Sequence, residues 1–311
     1  MTPHRTVLEA DLAPLAGSLF QPTGFPDLGA AEFETGDDTR ALLVESAQSM
    51  ANRLEATTWD QARTDQPEEL AALPYVRVVS PDGGFLSSSR LEAHRLASAY
   101  IMNATTGGEK GEDWMRDRLG LAAGRPLDHR KIASACFALD PVSLIHGVFF
   151  ARKGSKGKEW PWQPRVARAV TSFIEAHDVR PAVSGGVKKD VVINEAKDNA
   201  TAEGYGMVPH HRVEYTAGTI TAYFTVDHAQ FRSYGLSEPA TALLEALADF
   251  EIATLLNSGL RLRTRCDLVV REVRGEQPDA EDAARRIAKL AADCLGELGP
   301  ITEVTWAGRG K

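Results

Sequence analysis

Phe20-Gln-Pro-Thr-Gly-Phe-Pro-Asp-Leu-Gly29 and, a short turn later, Leu42-Leu-Val-Glu-Ser46-Ala-Gln-Ser49-Met-Ala-Asn52-Arg53-Leu54 are the stretches on which the fold turns. In the first, Pro22 and Pro26 fix φ while Gly24 and Gly29 permit tight reversals, so it reads as a stiff loop. In the second, Leu42 to Val44 reads as the end of a buried strand, and Ser46 as the N-cap of a helix. At about 100° per residue, Ala47, Met50, Ala51 and Leu54 share one face, the spacing of a core-facing stripe. Ser46, Ser49 and Arg53 form a second stripe beside it, with Gln48 and Asn52 further round. Hydroxyls and a guanidinium near a helix start, where free N–H groups point outward, suit a phosphate or a phosphodiester backbone. A capped surface helix with ordinary polar residues explains the same stripe, and on the residues alone that alternative stays open.

Working outward, the chain has 311 residues, 43% hydrophobic and 25% charged, the composition of a globular protein with ample length for a core. No run is long enough to span a bilayer, and Met1-Thr-Pro-His-Arg-Thr lacks the apolar centre of a signal peptide. Cys136, Cys266 and Cys294 are odd in number and far apart, as expected of free thiols in a reducing cytoplasm. A net charge of −8 argues against indiscriminate coating by nucleic acid, yet allows a basic groove on an acidic body.

Val7 to Leu19 reads as a first strand, and Tyr75 to Val79 as another closed by the turn Pro81-Asp-Gly-Gly84. Residues 60–130 read as an insertion, helical where ordered. The apolar text from Ile132 to Phe150 predicts a buried strand or two. The spacing from about Gln163 to His177 predicts a helix, with Val166, Val170, Phe173 and Ile174 inward and Arg165 and Arg168 outward. Tyr205 to Arg212 reads as a glycine-bearing loop, and Val213 to Val226 as a hairpin around Ala217-Gly218. Ser237 and Pro239 open a helix that stops near Gly259. Leu260 to Val273 reads as a strand with one basic face of Arg261, Arg263 and Arg265. A last amphipathic helix spans about Ala280 to Leu298, and Ile301 to Trp306 returns as a strand.

Three basic elements stand out. Between Arg152 and Arg168 lie Arg152, Lys153, Lys156, Lys158, Arg165 and Arg168 against one acid, Glu159, with Gly154 and Gly157 letting the backbone approach an anion. This is no Walker loop: Gly157-Lys158 is followed by Glu159, and the glycine spacing is wrong. Ser184-Gly-Gly-Val-Lys188-Lys189 is a second such loop, and the Asn257-to-Arg261 junction a third. Phe25, Trp160, Trp162 and Tyr205 are placed to stack on bases, or are core. His210-His211 lacks partners at zinc spacing, no G-x-S-x-G occurs, and the paired carboxylates sit in polar loops, so neither a metal site, a cofactor nor a catalytic centre is expected.

The Phe20–Gly29 and Leu43–Leu54 strings, with Gly-Ser-Lys-Gly-Lys-Glu-Trp-Pro-Trp-Gln-Pro at 154–164, closely resemble the backbone subunit of the type I-G (formerly I-U) CRISPR effector complex. That resemblance extends over most of the chain. It implies a RAMP-superfamily α+β fold: an RRM-like (ferredoxin-like) palm with an antiparallel sheet, an inserted helical and loop region, and a thumb-like hairpin. The palm would comprise residues 1–59 and 131–311, with the thumb near 183–226 and the insertion at 60–130. It implies a cytoplasmic, non-enzymatic protein whose copies line up along a CRISPR guide RNA beside other subunits and present it to target DNA. The RNA-contacting set would be Gln21, Thr23, Phe25, Ser46, Gln48, Ser49, Asn52, Arg53, Arg152, Lys153, Lys156, Lys158, Lys188, Lys189, Arg261 and Arg263. The competing reading is a small enzyme that cradles a phosphate-bearing substrate in the Lys153–Lys158 loop; a scaffold that binds no nucleic acid is a third.

Overall fold

A computed structural model describes residues 4–25, 28–122, 124–151, 163–190, 206–294 and 296–308. Its main sheet is built by β1 (Arg5–Pro14), β2 (Arg40–Glu45), β3 (Val170–His177), β6 (Thr219–Asp227), β7 (Leu260–Arg263) and β8 (Cys266–Arg274). Between β3 and β6 come β4 (Arg180–Asp190) and β5 (Gly206–Thr216), which leave the sheet as a ribbon. The helices that matter here are α1 (Ala47–Ala56), α2 (His129–Leu139), α3 (Glu238–Ser258) and α4 (Ala280–Asp293).

The strand order is β7-β8-β1-β6-β3-β2, with Glu32–Glu34 at the far edge, and every pairing is antiparallel. Taken along the chain, β1-α1-β3-β6-α3-β8 is a β-α-β-β-α-β unit, and its strands lie in the order β8-β1-β6-β3. That is the ferredoxin-like arrangement, so the α+β, RRM-like palm holds. Period-two alternation places Leu8, Ala10 and Leu12 of β1 with Ala222, Phe224 and Val226 of β6 against the helices. The opposite face carries Glu9, Asp11, Phe173 and Tyr223. α3 is buried round most of its circumference, at Leu243, Leu244, Leu247 and Ile252 among others. A second sheet, Phe85–Ser88, Val76–Val79, Thr302–Thr305, Thr105–Thr106 and Glu109–Lys110, joins the 60–130 segment to the C-terminal strand. One contiguous hydrophobic core runs under both sheets.

Four local expectations are corrected. Gln163–His177 is not a helix: residues 170–177 form β3, with Val170, Ser172, Ile174 and Ala176 buried in strict alternation. Val170, Thr171 and Ile174 are β-branched, and the strand period fits them as well as the helical one. Conversely, Ile132–Phe150 is chiefly helical, as α2 followed by Pro141–His146. Asp128 and Asp140 cap these helices, the latter directly before a proline at the first helical position. A continuous apolar run cannot by itself tell a buried helix from a buried strand. Residues from Gly206 are strand, not loop, and Ala217-Gly218 is no hairpin turn. β5 pairs with β4 from Arg180↔Thr216 to Asp190↔Gly206, and β6 pairs with β3. Ala217-Gly218 therefore sits opposite Asp178 where the ribbon leaves the palm, and the Gly218 amide donates to the His177 carbonyl at 2.9 Å. Finally, Leu260–Arg274 is a two-stranded hairpin that turns at Thr264-Arg265.

Cys136, Cys266 and Cys294 are buried and unpaired, and burial pushes the Cys136 thiol up to about 12. Among the described residues no helix is long and apolar enough to cross a membrane.

Candidate nucleic-acid interface

Ser46 caps α1: its Oγ accepts from the Ser49 amide at 3.2 Å. Met50, Ala51 and Leu54 are buried, while Gln48 and Asn52 are exposed and Ser49 partly so. The stripe expected to meet a phosphate is divided by what lies beside it. The Arg53 guanidinium donates to the Leu262 carbonyl at 2.7 Å and pairs with Glu45 at 3.4 Å. Arg263 donates to the Gln21 carbonyl at 2.7 Å and also binds Glu45. Glu45, with a side chain only 2% exposed, is thus a hub between two arginines. It ties β2, α1, β7 and the proline-glycine loop together. The loop is further held by Thr23 N to Val44 O at 2.8 Å and Gln21 N to Arg265 O at 2.7 Å. Arg261, on the same strand, is exposed and makes no side-chain ion pair with described residues.

Gln48 and Asn52 line a cleft of about 700 Å³ between α1, the Arg95 turn and the short paired strands Val148–Phe149 and Arg165–Val166. Among the described residues every ionisable side chain on its wall is basic: His94, Arg95, His146, Arg165 and Arg168. Arg95 has a left-handed φ of 53° and forms two bonds to Glu55, 2.5 and 2.7 Å, plus one to the Gly147 carbonyl at 3.1 Å. A bulky residue holds such a backbone only where its surroundings over-determine it, and this buried fork supplies that. Burial raises the Glu55 carboxyl above the usual range, against the pull of His146 and Arg95. Arg168 donates to the Ala47 carbonyl at 2.9 Å and has no carboxylate partner among the described residues. Burial and the neighbouring Arg95 lower its pKa, against the opposing pull of the Glu55 carboxylate. His146 reaches inward from the wall to Glu251, with which it forms a fully buried pair at 2.8 Å.

A second cleft, about 540 Å³, lies where the loop meets the ribbon base, and Gln21, Thr23, Arg212, His211, Tyr215 and Arg263 line it. It too has no carboxylate among its described wall residues. Glu214, behind it, is held below the ordinary carboxyl range by its hydrogen bond from Arg265 at 2.8 Å. Phe20 and Tyr215 exchange backbone bonds of 2.9 Å in each direction, fastening the loop to the ribbon. The acids collect elsewhere: Glu245, Asp249, Glu276, Asp279 and Asp282 line a separate cleft near α4. The chain is acidic, but its charge is segregated.

Of the residues expected to contact RNA, Gln48 and Asn52 meet in the first cleft, and Gln21, Thr23 and Arg263 in the second. Ser46 is a cap, and Arg53 and Arg263 brace the framework. The Phe25 backbone pairs with Gly29, and Lys188 and Lys189 stand opposite Val208 and Met207 on the ribbon. Arg152, Lys153, Lys156 and Lys158, with Trp160, Trp162 and Tyr205, lie outside the described residues. Sequence reasoning missed Arg95 and Phe149, and set Arg165 and Arg168 on a helix that does not exist. Read as strand text, Arg165-Val-Ala-Arg168 next to an apolar run would have pointed to them. Among the described residues no cluster of three or more His, Cys, Asp or Glu is placed to hold a metal ion.

Residues 6–181 match the model of a family described as CRISPR-associated protein GSU0053. Comparison with curated proteins finds no significant match. Among solved structures, the chain is similar to a chain of a CRISPR RNA-guided surveillance complex, pre-nicking, at 13% identity; the match covers 81% of this chain and 70% of that one, with a TM-score of 0.39. It is also similar to Thermofilum pendens Csc2 at 11% identity, covering 95% and 77%, TM-score 0.32. A chain of another CRISPR RNA-guided surveillance complex matches at 12% identity, covering 94% and 84%, TM-score 0.34.

Proposed function

The chain belongs to the CRISPR-associated protein GSU0053 family, and from that membership we propose that it is a guide-RNA-binding backbone subunit of a type I-G effector complex. In this reading several copies line up along one CRISPR RNA in the cytoplasm, beside companion subunits, and leave guide segments free to pair with target DNA. The protein holds backbone and shape while base pairing reads sequence. No step of bond chemistry is assigned to it.

The observation that carries the reading is charge segregation around α1. Two clefts with no carboxylate among their described wall residues stand by the capped helix and the ribbon base, on a chain of net charge −8. A polyanion is drawn to those clefts and repelled elsewhere. Gln48, Asn52 and Arg261 are the exposed contacts and Ser49 a half-buried one, with Gln21 and Thr23 at the second cleft; Arg53 and Arg263 hold the backbone that presents them. Phe25, Lys188, Lys189 and the Arg152–Lys158 cluster are further contacts on the strength of the sequence alone.

Fluorescence anisotropy of labelled single-stranded RNA, with the full chain alone and with its companion subunits, tests this. Binding is expected to be indifferent to sequence, with the logarithm of affinity falling linearly in the logarithm of salt by about 0.7 per phosphate neutralised. No affinity at low ionic strength in either setting would overturn the proposal. A monomer that saturates with a mononucleotide and ignores RNA would favour the enzyme instead.

A further inference from the structure

Phe149 and Arg165 are directly opposite each other on the short antiparallel strands that form one wall of the 700 Å³ cleft. The Arg165 guanidinium carbon sits 5.2 Å from the Phe149 ring centroid, and the ring is 46% exposed. An exposed phenylalanine under a guanidinium is an ordinary surface pair when it stands alone. This one does not stand alone. It shares the cleft with the Gln48 and Asn52 amides on α1 and with Arg168, a partly buried cation that has no carboxylate partner among the described residues.

We infer that this cleft seats one unpaired nucleotide, its base stacked on the Phe149–Arg165 platform and its phosphate neutralised by Arg168. The inference rests on the RNA-binding reading above and names the part of the strand that occupies this cleft. A nucleotide joins a flat π-surface to a monoanion, and the cleft offers an aromatic ring, a planar guanidinium and, in Arg168, a partly buried cation that makes no ion pair with a described carboxylate. Stacking on aromatic and arginine planes tolerates any base, because every base has a π-face. The Gln48 and Asn52 amides can each donate and accept, so they meet a base edge of either polarity. Among the described residues Arg168 is hydrogen-bonded to carbonyl oxygens; it faces the like charge of Arg95, which the Glu55 carboxylate, itself paired to Arg95, offsets in part. An incoming phosphate balances the Arg168 charge.

The test compares a short single-stranded RNA with an abasic ribose-phosphate oligomer of the same length, on the full chain. The wild type is expected to prefer the base-bearing strand by roughly 5- to 150-fold, the range of one stacked base. Phe149→Ala should abolish that preference while leaving the salt slope unchanged, and Phe149→Trp should retain it. Arg168→Gln should do the reverse, keeping the preference and lowering the salt slope by about 0.7. Matched thermal melts establish that the variants are folded. A wild type that binds both oligomers equally, or a Phe149→Ala protein that keeps the preference, overturns the stacking seat and leaves RNA binding standing. A wild type that binds neither oligomer overturns both.

Discussion

Arg53 and Arg261 lie 208 positions apart in the chain and both read as phosphate contacts, but the fold gives them opposite surroundings. Arg53 is committed to two backbone carbonyls of β7 and to the buried Glu45, whereas Arg261 projects its side chain to solvent. Charge-assisted bonds to buried groups are costly to remove, because the partner is left unpaired. Arg53→Ala is therefore expected to lower stability by about 1–3 kcal/mol, read as a shift in urea midpoint. Arg261→Ala should leave that midpoint within about 0.5 kcal/mol and reduce the salt dependence of RNA binding by the share of one contact. If Arg53→Ala cost no stability and behaved like Arg261→Ala, the framework role assigned to the Glu45 hub would be wrong. A rule that counts basic residues treats the two alike. Burial and partners separate them.

At the scale of elements, the first cleft depends on a single reversal. Pro141–His146 ends at Gly147, whose φ is 79°, and the chain then enters the strand that carries Phe149. A Cβ at Gly147 would stand 2.8 Å from the Val166 carbonyl oxygen and 3.0 Å from the Arg168 amide. Gly147→Ala combines that clash with a left-handed backbone that alanine tolerates poorly. It is expected to cost roughly 2–3 kcal/mol and to weaken RNA binding, since the Gly147 carbonyl also anchors Arg95. Chemical denaturation checks the first effect and anisotropy the second. An alanine variant as stable as the wild type would mean that the Gly147 reversal does not hold the cleft wall.

For the whole molecule, the ribbon is an appendage by its contacts. Apart from the Phe20–Tyr215 bridge at its base, β4 and β5 form no ladder with other described strands; they pair with each other along eleven-residue strands, about 35 Å at ~3.3 Å per residue. The join to the palm is made at the base by Phe20, Tyr215 and the Glu214–Arg265 pair. Replacing 185–211 with an Asn-Gly turn that links Ser184 to Arg212 suits a two-residue hairpin and spares that base. The shortened protein is expected to melt as the wild type does, yet to form smaller RNA-bound particles in size-exclusion chromatography. Unchanged particle size would remove the ribbon from the account of assembly. A lowered melting point would show that the palm depends on the ribbon after all.

The residues alone settled the capped helix at Ser46, the buried strand before it, α3 with its Ser237 cap, the closing helix and strand, and the free cysteines. Each of these is written in local signals, a cap or a period, that need no partner from elsewhere in the chain. The same residues left the strand β3 and the helices between Ile132 and His146 exchanged, because a fully apolar or β-branched run satisfies both periods until its neighbours are known. The ribbon's pairing, with Gly218 at a bend and not at a turn, followed only from β3 lying beside β6. The site was legible in its types and not in its roles. Gln48 and Asn52 were picked out from helix phase, while Arg95, Phe149 and Arg168 reach the same cleft from segments distant in the chain. Whether a guanidinium is free to meet a phosphate or is already satisfied by a carbonyl is decided by what packs against it, and long-range contacts of that kind are made only in the folded chain.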